Sequence, residues 1–176
     1  MNCSASHCKR LVLVSALMFA ASLSSQARAQ DFIVPPQAAP PPMVYIPQGE
    51  RTQLLSARDE KARTRLSLEL AEARLVRAEQ QTELKQFNVA AADLGVYQAL
   101  VEDAIQHLYR TSDGGSPPRD LFKRIEQSVH KHAARVEAMR RATPGEFAGN
   151  VLALGRLLRD LRAEALEAFY SDTVTR

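Results

Sequence analysis

The chain has 176 residues, with 23 Lys and Arg against 20 Asp and Glu, two Cys and no Trp. A formal charge of +3 excludes the strongly basic face that nucleic acid demands and gives no polybasic signal for an anionic membrane surface. No useful length alternates apolar with polar residues, which argues against a β architecture.

Residues 1–29 read as a cleavable secretory leader. Lys9 and Arg10 form a positive start, Leu11 to Leu23 is apolar without a charge, and Ala27-Arg28-Ala29 supplies a small-x-small cleavage site. The apolar run is short for a membrane span, so cleavage before Gln30 is expected, with no membrane insertion afterwards. Both cysteines, Cys3 and Cys8, precede the apolar run; processing removes them and leaves no thiol, disulfide or cysteine metal ligand. It also removes three basic residues and no acidic one, leaving 20 against 20. The compartment this implies is the periplasm or the exterior.

Residues 30–49 are rich in proline: Pro35, Pro36, Pro40, Pro41, Pro42 and Pro47. Proline fixes φ and pushes its predecessor towards extended backbone, so an extended tether is expected here. Within it, Met43-Val44-Tyr45-Ile46 is a short apolar patch that either tucks against the body or docks on a partner.

Residues 50–176 form the expected helical domain. A long first helix is predicted from about Arg51 to Lys85, with Asp59–Arg63 and Arg65–Glu69 at the four-residue spacing of helix ion pairs. It carries two apolar stripes, Leu66, Leu70, Ala73 and Leu84 on one side and Leu68, Ala71, Leu75 and Ala78 nearly opposite. A helix apolar on two sides packs between neighbours or joins a dimer. Asn88 is the expected N-cap of a second helix, whose face is Leu94, Tyr97, Val101, Ala104, Ile105 and Leu108. Thr111 to Ser116 breaks the chain, and Pro117-Pro118 suits the first turn of a third helix.

The third helix has a heptad seam of Phe122, Ile125, Val129, His132, Val136 and Met139. Thr143-Pro144-Gly145-Glu146 reads as a capping box opening a fourth helix, which repeats Phe147, Val151, Leu154, Leu158, Leu161, Ala165 and Ala168. The turn between these two helices is too short for anything but antiparallel neighbours. The expected fold is therefore all-α: an antiparallel bundle of about four helices in two hairpins.

No catalytic, cofactor or metal site emerges from the pattern. His130 and His132 are two apart on a helix and face opposite ways; His107 follows Asp103 by four and His130 follows Glu126 by four, each at most half a metal site. No Gly-x-Ser-x-Gly elbow or phosphate loop is present, and Ser128 lies mid-helix. Tyr97, Tyr109 and Tyr170 read as helix-face anchors with wet hydroxyls.

The run Leu68-Glu69-Leu70-Ala71-Glu72-Ala73-Arg74-Leu75, followed by Ala78-Glu79 and by Leu94-Gly95-Val96-Tyr97, resembles uncharacterised exported bacterial helical-bundle proteins over residues 66–109. The resemblance implies a bacterial envelope protein and brings no catalytic residue with it. In size, leader and helix content the chain is also similar to small periplasmic helical stress chaperones, but their Leu-Thr-x-x-Gln signature is missing. The expected function is non-enzymatic: a structural or protein-interaction module engaging other envelope proteins or a second copy of itself. The alternative is a chaperone-like or ligand-sensing bundle for apolar clients. Val44, Tyr45, Ile46, Leu68 and Leu75 are the candidate partner-binding residues.

Overall fold

The computed structural model describes residues 37–111 and 118–170. The chain divides into two compact units, Met1–Pro35 and Pro36–Arg176, and the fold is that of the second. The expected leader with both cysteines, residues 30–36 of the proline-rich segment and the expected break at 112–117 lie outside the described residues. Among the described residues all regular structure is helical: α1 (Gln48–Leu55), α2 (Glu60–Glu83), α3 (Phe87–Thr111), α4 (Arg119–Ala142) and α5 (Gly145–Tyr170). No helix among them is long and apolar enough to cross a membrane.

The expected long first helix is two helices. Asp59 does not extend a helix towards Arg63; its backbone is extended and its carboxylate accepts from Ala62 N (2.6 Å), so it caps α2. Glu60 in the first turn suits the positive end of the helix dipole. Arg63, released from that pairing, donates to Leu54 O (3.0 Å) and to the Asp103 carboxylate (2.6 Å). Arg74 does the same one register up, bridging Glu50 and Asp93 (2.8 Å). Arg63 and Arg74 thus each tie one group of α1 to one carboxylate of α3, and α1 folds back antiparallel over α2. The Arg65–Glu69 pair forms, at 3.5 Å and well exposed.

Of the two stripes, Leu68, Ala71, Leu75 and Ala78 are buried in the core; Leu66 and Leu70 pack partly against it, and Leu84 and Ala73 are exposed. Small residues let α2 and α3 approach closely: the short Ser67 side chain reaches the Leu100 carbonyl across the interface (2.8 Å). The α2–α3 turn closes with Gln86 N on Gln81 O (2.8 Å) and Lys85 N on Thr82 O (3.0 Å), the paired bonds of a Schellman cap with Lys85 at φ 59. Asn88 is not the cap of α3; Val89 N and Ala90 N both donate to Gln86 O, so the helix starts before it.

The α4 seam is buried throughout, as are the α5 residues Val151, Leu154, Leu158, Leu161, Ala165 and Ala168. Pro118 stands as N-cap of α4, one residue before the first turn. At the α4–α5 turn no capping box forms: the Thr143 hydroxyl donates back to Met139 O (2.7 Å), and Ala148 N donates to Pro144 O.

Antiparallel pairs α2–α3 and α4–α5 make the two large interfaces, and the hairpins meet along α2 with α4 and α3 with α5. Those cross-hairpin pairs run parallel, because Glu72 and Glu79 of α2 meet His132 and Arg135 of α4 in the same chain direction. Both hairpin turns, 84–86 and 143–144, therefore lie at the same end of the bundle.

Candidate functional site

Two hairpin turns at one end leave a gap between them that the side chains of the helices do not fill. The residues 41–44 lie over that gap and close a cavity of about 240 Å³. Phe87 and Phe147 sit at the two helix starts with ring centroids 5.8 Å apart. Leu94, Met139, Val151 and Leu154 carry the apolar wall inward to the core. No Asp, Glu, Lys, Arg or His lines it; its polar members are Thr82, Gln98, Thr143 and Asn150.

The covering segment is fastened at both sides. Ala39 N donates to Glu146 O (2.8 Å), and Asn150 Nδ2 donates to Pro40 O (2.9 Å), both at the start of α5. On α3, a Cβ built on Gly95 would lie 2.3 Å from Met43 O and 3.3 Å from Pro42 Cβ. The glycine is what lets the segment lie directly on the helix backbone. Pro41, Pro42 and Val44 face the cavity, while Ile46 packs on the core. Met43, Val44 and Tyr45 retain 77, 46 and 50% of their exposure. Of the five residues expected to bind a partner, Leu68 and Leu75 are core residues of the single chain, and Ile46 is half-buried. Val44 and Tyr45 alone of the five present substantial surface.

A second polar arrangement lies deeper, between α2, α3 and α4. Tyr97 is fully buried and its hydroxyl is not wet, contrary to its reading as a surface anchor; it sits 3.0 Å from His132 Nδ1. His132 Nε2 is 2.7 Å from Glu72 Oε2. The tautomer follows: a carboxylate only accepts, so Nε2 carries the proton and Nδ1 accepts from the tyrosine hydroxyl. Arg135 completes the chain, bonded to Glu72 and, as a fork, to both oxygens of Glu79 (2.7 and 2.6 Å). Burial holds the His132 imidazole below its ordinary 6.5 despite the pull of Glu72, and burial pushes the Tyr97 phenol up. Burial also pushes the Glu72 carboxyl up, but the Arg135 hydrogen bond and the neighbouring charges outweigh it and leave the group below its ordinary value.

Ser128 lines a shallow groove together with Glu72 and the buried His132. Both imidazole nitrogens are already engaged, so no free nitrogen remains to take a proton from the serine. His130 points away and is exposed, and among the described residues no three His, Cys, Asp or Glu gather as metal ligands would. The buried polar chain therefore locks α2, α3 and α4 in register, and the uncharged cavity under residues 41–44 is the candidate ligand site.

No protein-family model, no curated protein and no solved structure matches the chain.

Neither feature was assembled from the sequence. The cavity draws on residues 41–44, 82–98 and 139–157, and no pattern within one helix announces such a gap. One signal was available: an isolated glycine on the apolar face of α3, Gly95, marks a close backbone approach. His132 stands in the apolar seam of α4, but its partners come from 35 and 60 residues away.

Proposed function

We propose that this is an exported, non-enzymatic helical protein of the bacterial cell envelope that holds a small apolar ligand between its hairpin ends, under residues 41–44. The observation that carries the reading is the uncharged cavity of about 240 Å³. Ligand sites are concave, mostly apolar and fitted with a few polar groups, and this one has that composition. Export rests on the leader, and the absence of catalysis on the fully engaged histidine. Leu68 and Leu75, the two helix residues expected to meet a partner, are buried in the single chain, which favours a ligand binder over an interaction module.

The test is a fluorescence titration with N-phenylnaphthylamine, an uncharged dye that brightens in apolar surroundings. Saturable binding of one dye per chain is expected. A cavity-filling Ala91→Phe variant with an unchanged thermal midpoint should lose it. Equal binding by the filled variant, or none by the wild type, would overturn the reading.

A second reading, the interaction module, keeps one specific observation in its favour. Met43, Val44 and Tyr45 stand exposed on a segment whose backbone is pinned, as a preformed recognition strand would be.

A further inference from the structure

The polar groups of the cavity define what it would accept, given that it is a ligand site at all. The Thr82 and Thr143 hydroxyls donate to Ala78 O and Met139 O at 2.8 and 2.7 Å. The Gln98 amide donates to Glu102 Oε1 (3.0 Å), and the Asn150 amide donates to Pro40 O (2.9 Å). Each of the four polar side chains has thus directed a hydrogen towards the protein's own acceptors. The threonine hydroxyls keep lone pairs, and the amide oxygens of Gln98 and Asn150 take no hydrogen bond among the described residues, so acceptors outnumber the one Gln98 N–H left unspent. No cationic side chain lines the wall.

We infer that the ligand is a neutral molecule with a hydrogen-bond donor on an apolar body, such as an alcohol, a phenol or an indole-type N–H compound, and that carboxylates are refused. An anion would enter a site with acceptors and no cation to meet it, and a buried charge without a partner is costly. A guest without a donor would leave the amide oxygens dry and unmet. Size narrows the class further. A cavity of about 150 Å³ takes a single benzene ring, so about 240 Å³ suits a body of two fused rings or a ring with a short chain.

Calorimetric titration of the full chain with naphthol, naphthyl methyl ether and naphthoate separates the possibilities, because the three share one apolar body. Naphthol should bind roughly tenfold more tightly than its methyl ether, the worth of one neutral hydrogen bond. Naphthoate should bind more weakly than either. In Gln98→Leu, which removes an acceptor without closing the space, the preference for naphthol over the ether should shrink while the ether binds as before. Equal or tighter binding of naphthoate, or no preference between naphthol and ether, would overturn this ligand class while leaving an apolar site in place. Failure of all three to bind would overturn both this inference and the ligand-binding reading beneath it.

Discussion

Tyr97 and His132 share a buried hydrogen bond. A protonated imidazole would present N–H at Nδ1 to a hydroxyl that already points its hydrogen there, so the fold favours the neutral ring. The linkage sign follows. A histidine whose folded pKa is depressed binds its proton more readily when unfolded, so stability falls as pH drops below the ordinary value of 6.5 and continues to fall through the lower folded value. Glu72, also depressed, adds a loss in the same direction below its ordinary 4.5. Urea melts at stepped pH should show stability declining on acidification from neutral. In Tyr97→Phe the hydroxyl donor is gone: stability at neutral pH should drop by about 1 kcal/mol, and the His132 resonance should titrate at higher pH than in the wild type. An unchanged titration would mean that the hydroxyl does not hold Nδ1 as an acceptor. Lys85 offers a gain instead. It is the one described non-glycine residue at positive φ, and Lys85→Gly should raise stability by about 1 kcal/mol in the same urea assay, since the left-handed conformation costs a side chain about that much.

Among the elements, the helices that were readable are those whose partners lie along a single stripe. The α4 seam is buried as its pattern requires, and so is the α5 repeat from Val151 onward, with Phe147 half-buried at the cavity, because each helix meets the core on one face. The first helix misled for a physical reason. Asp59 and Arg63 stand at the spacing of an ion pair within a continuous helix, yet the same aspartate is also an N-cap, and the arginine has better partners in Leu54 O and Asp103. Sequence spacing cannot rank a local partner against one 40 residues away. The pinned segment over α3 was open to either packing or docking from its apolar residues; Gly95 decides that its backbone lies on the helix. Three glycines within α3 and α5 test this. A Cβ on Gly149 meets nothing within 4 Å, and one on Gly155 meets Val136 Cγ1 at an ordinary 4.0 Å. Gly149→Ala and Gly155→Ala should each stabilise by about 1 kcal/mol through helix propensity alone. Gly95→Ala should instead lift residues 39–44 off α3, seen as faster amide exchange at Ala39, whose N–H is bonded to Glu146 O. Unchanged exchange at Ala39 would mean that the segment tolerates a side chain beneath it.

At the scale of the whole molecule, the cavity follows from topology. Two hairpins stacked in parallel put both turns at one end, where four helix termini diverge around a space that their side chains do not fill. The α2–α3 turn contributes Thr82 and Phe87, the α4–α5 turn contributes Thr143 and Phe147, and the N-terminal segment closes the top. That arrangement depends on which helices neighbour which, information absent from any single stripe, and so the fold class was legible while the site was not. The polar chain from Tyr97 to Glu79 fixes the parallel contact of α2 with α4, and with it the alignment of the two turns. The measurement that tests the account most directly locates the guest: methyl-labelled protein saturated with naphthol, examined for nuclear Overhauser contacts between ligand and side chains. Contacts to the methyls of Leu94, Met139, Val151 and Leu154 are the predicted result. Contacts confined to exposed residues such as Met43 and Leu55, or none at all, would contradict it.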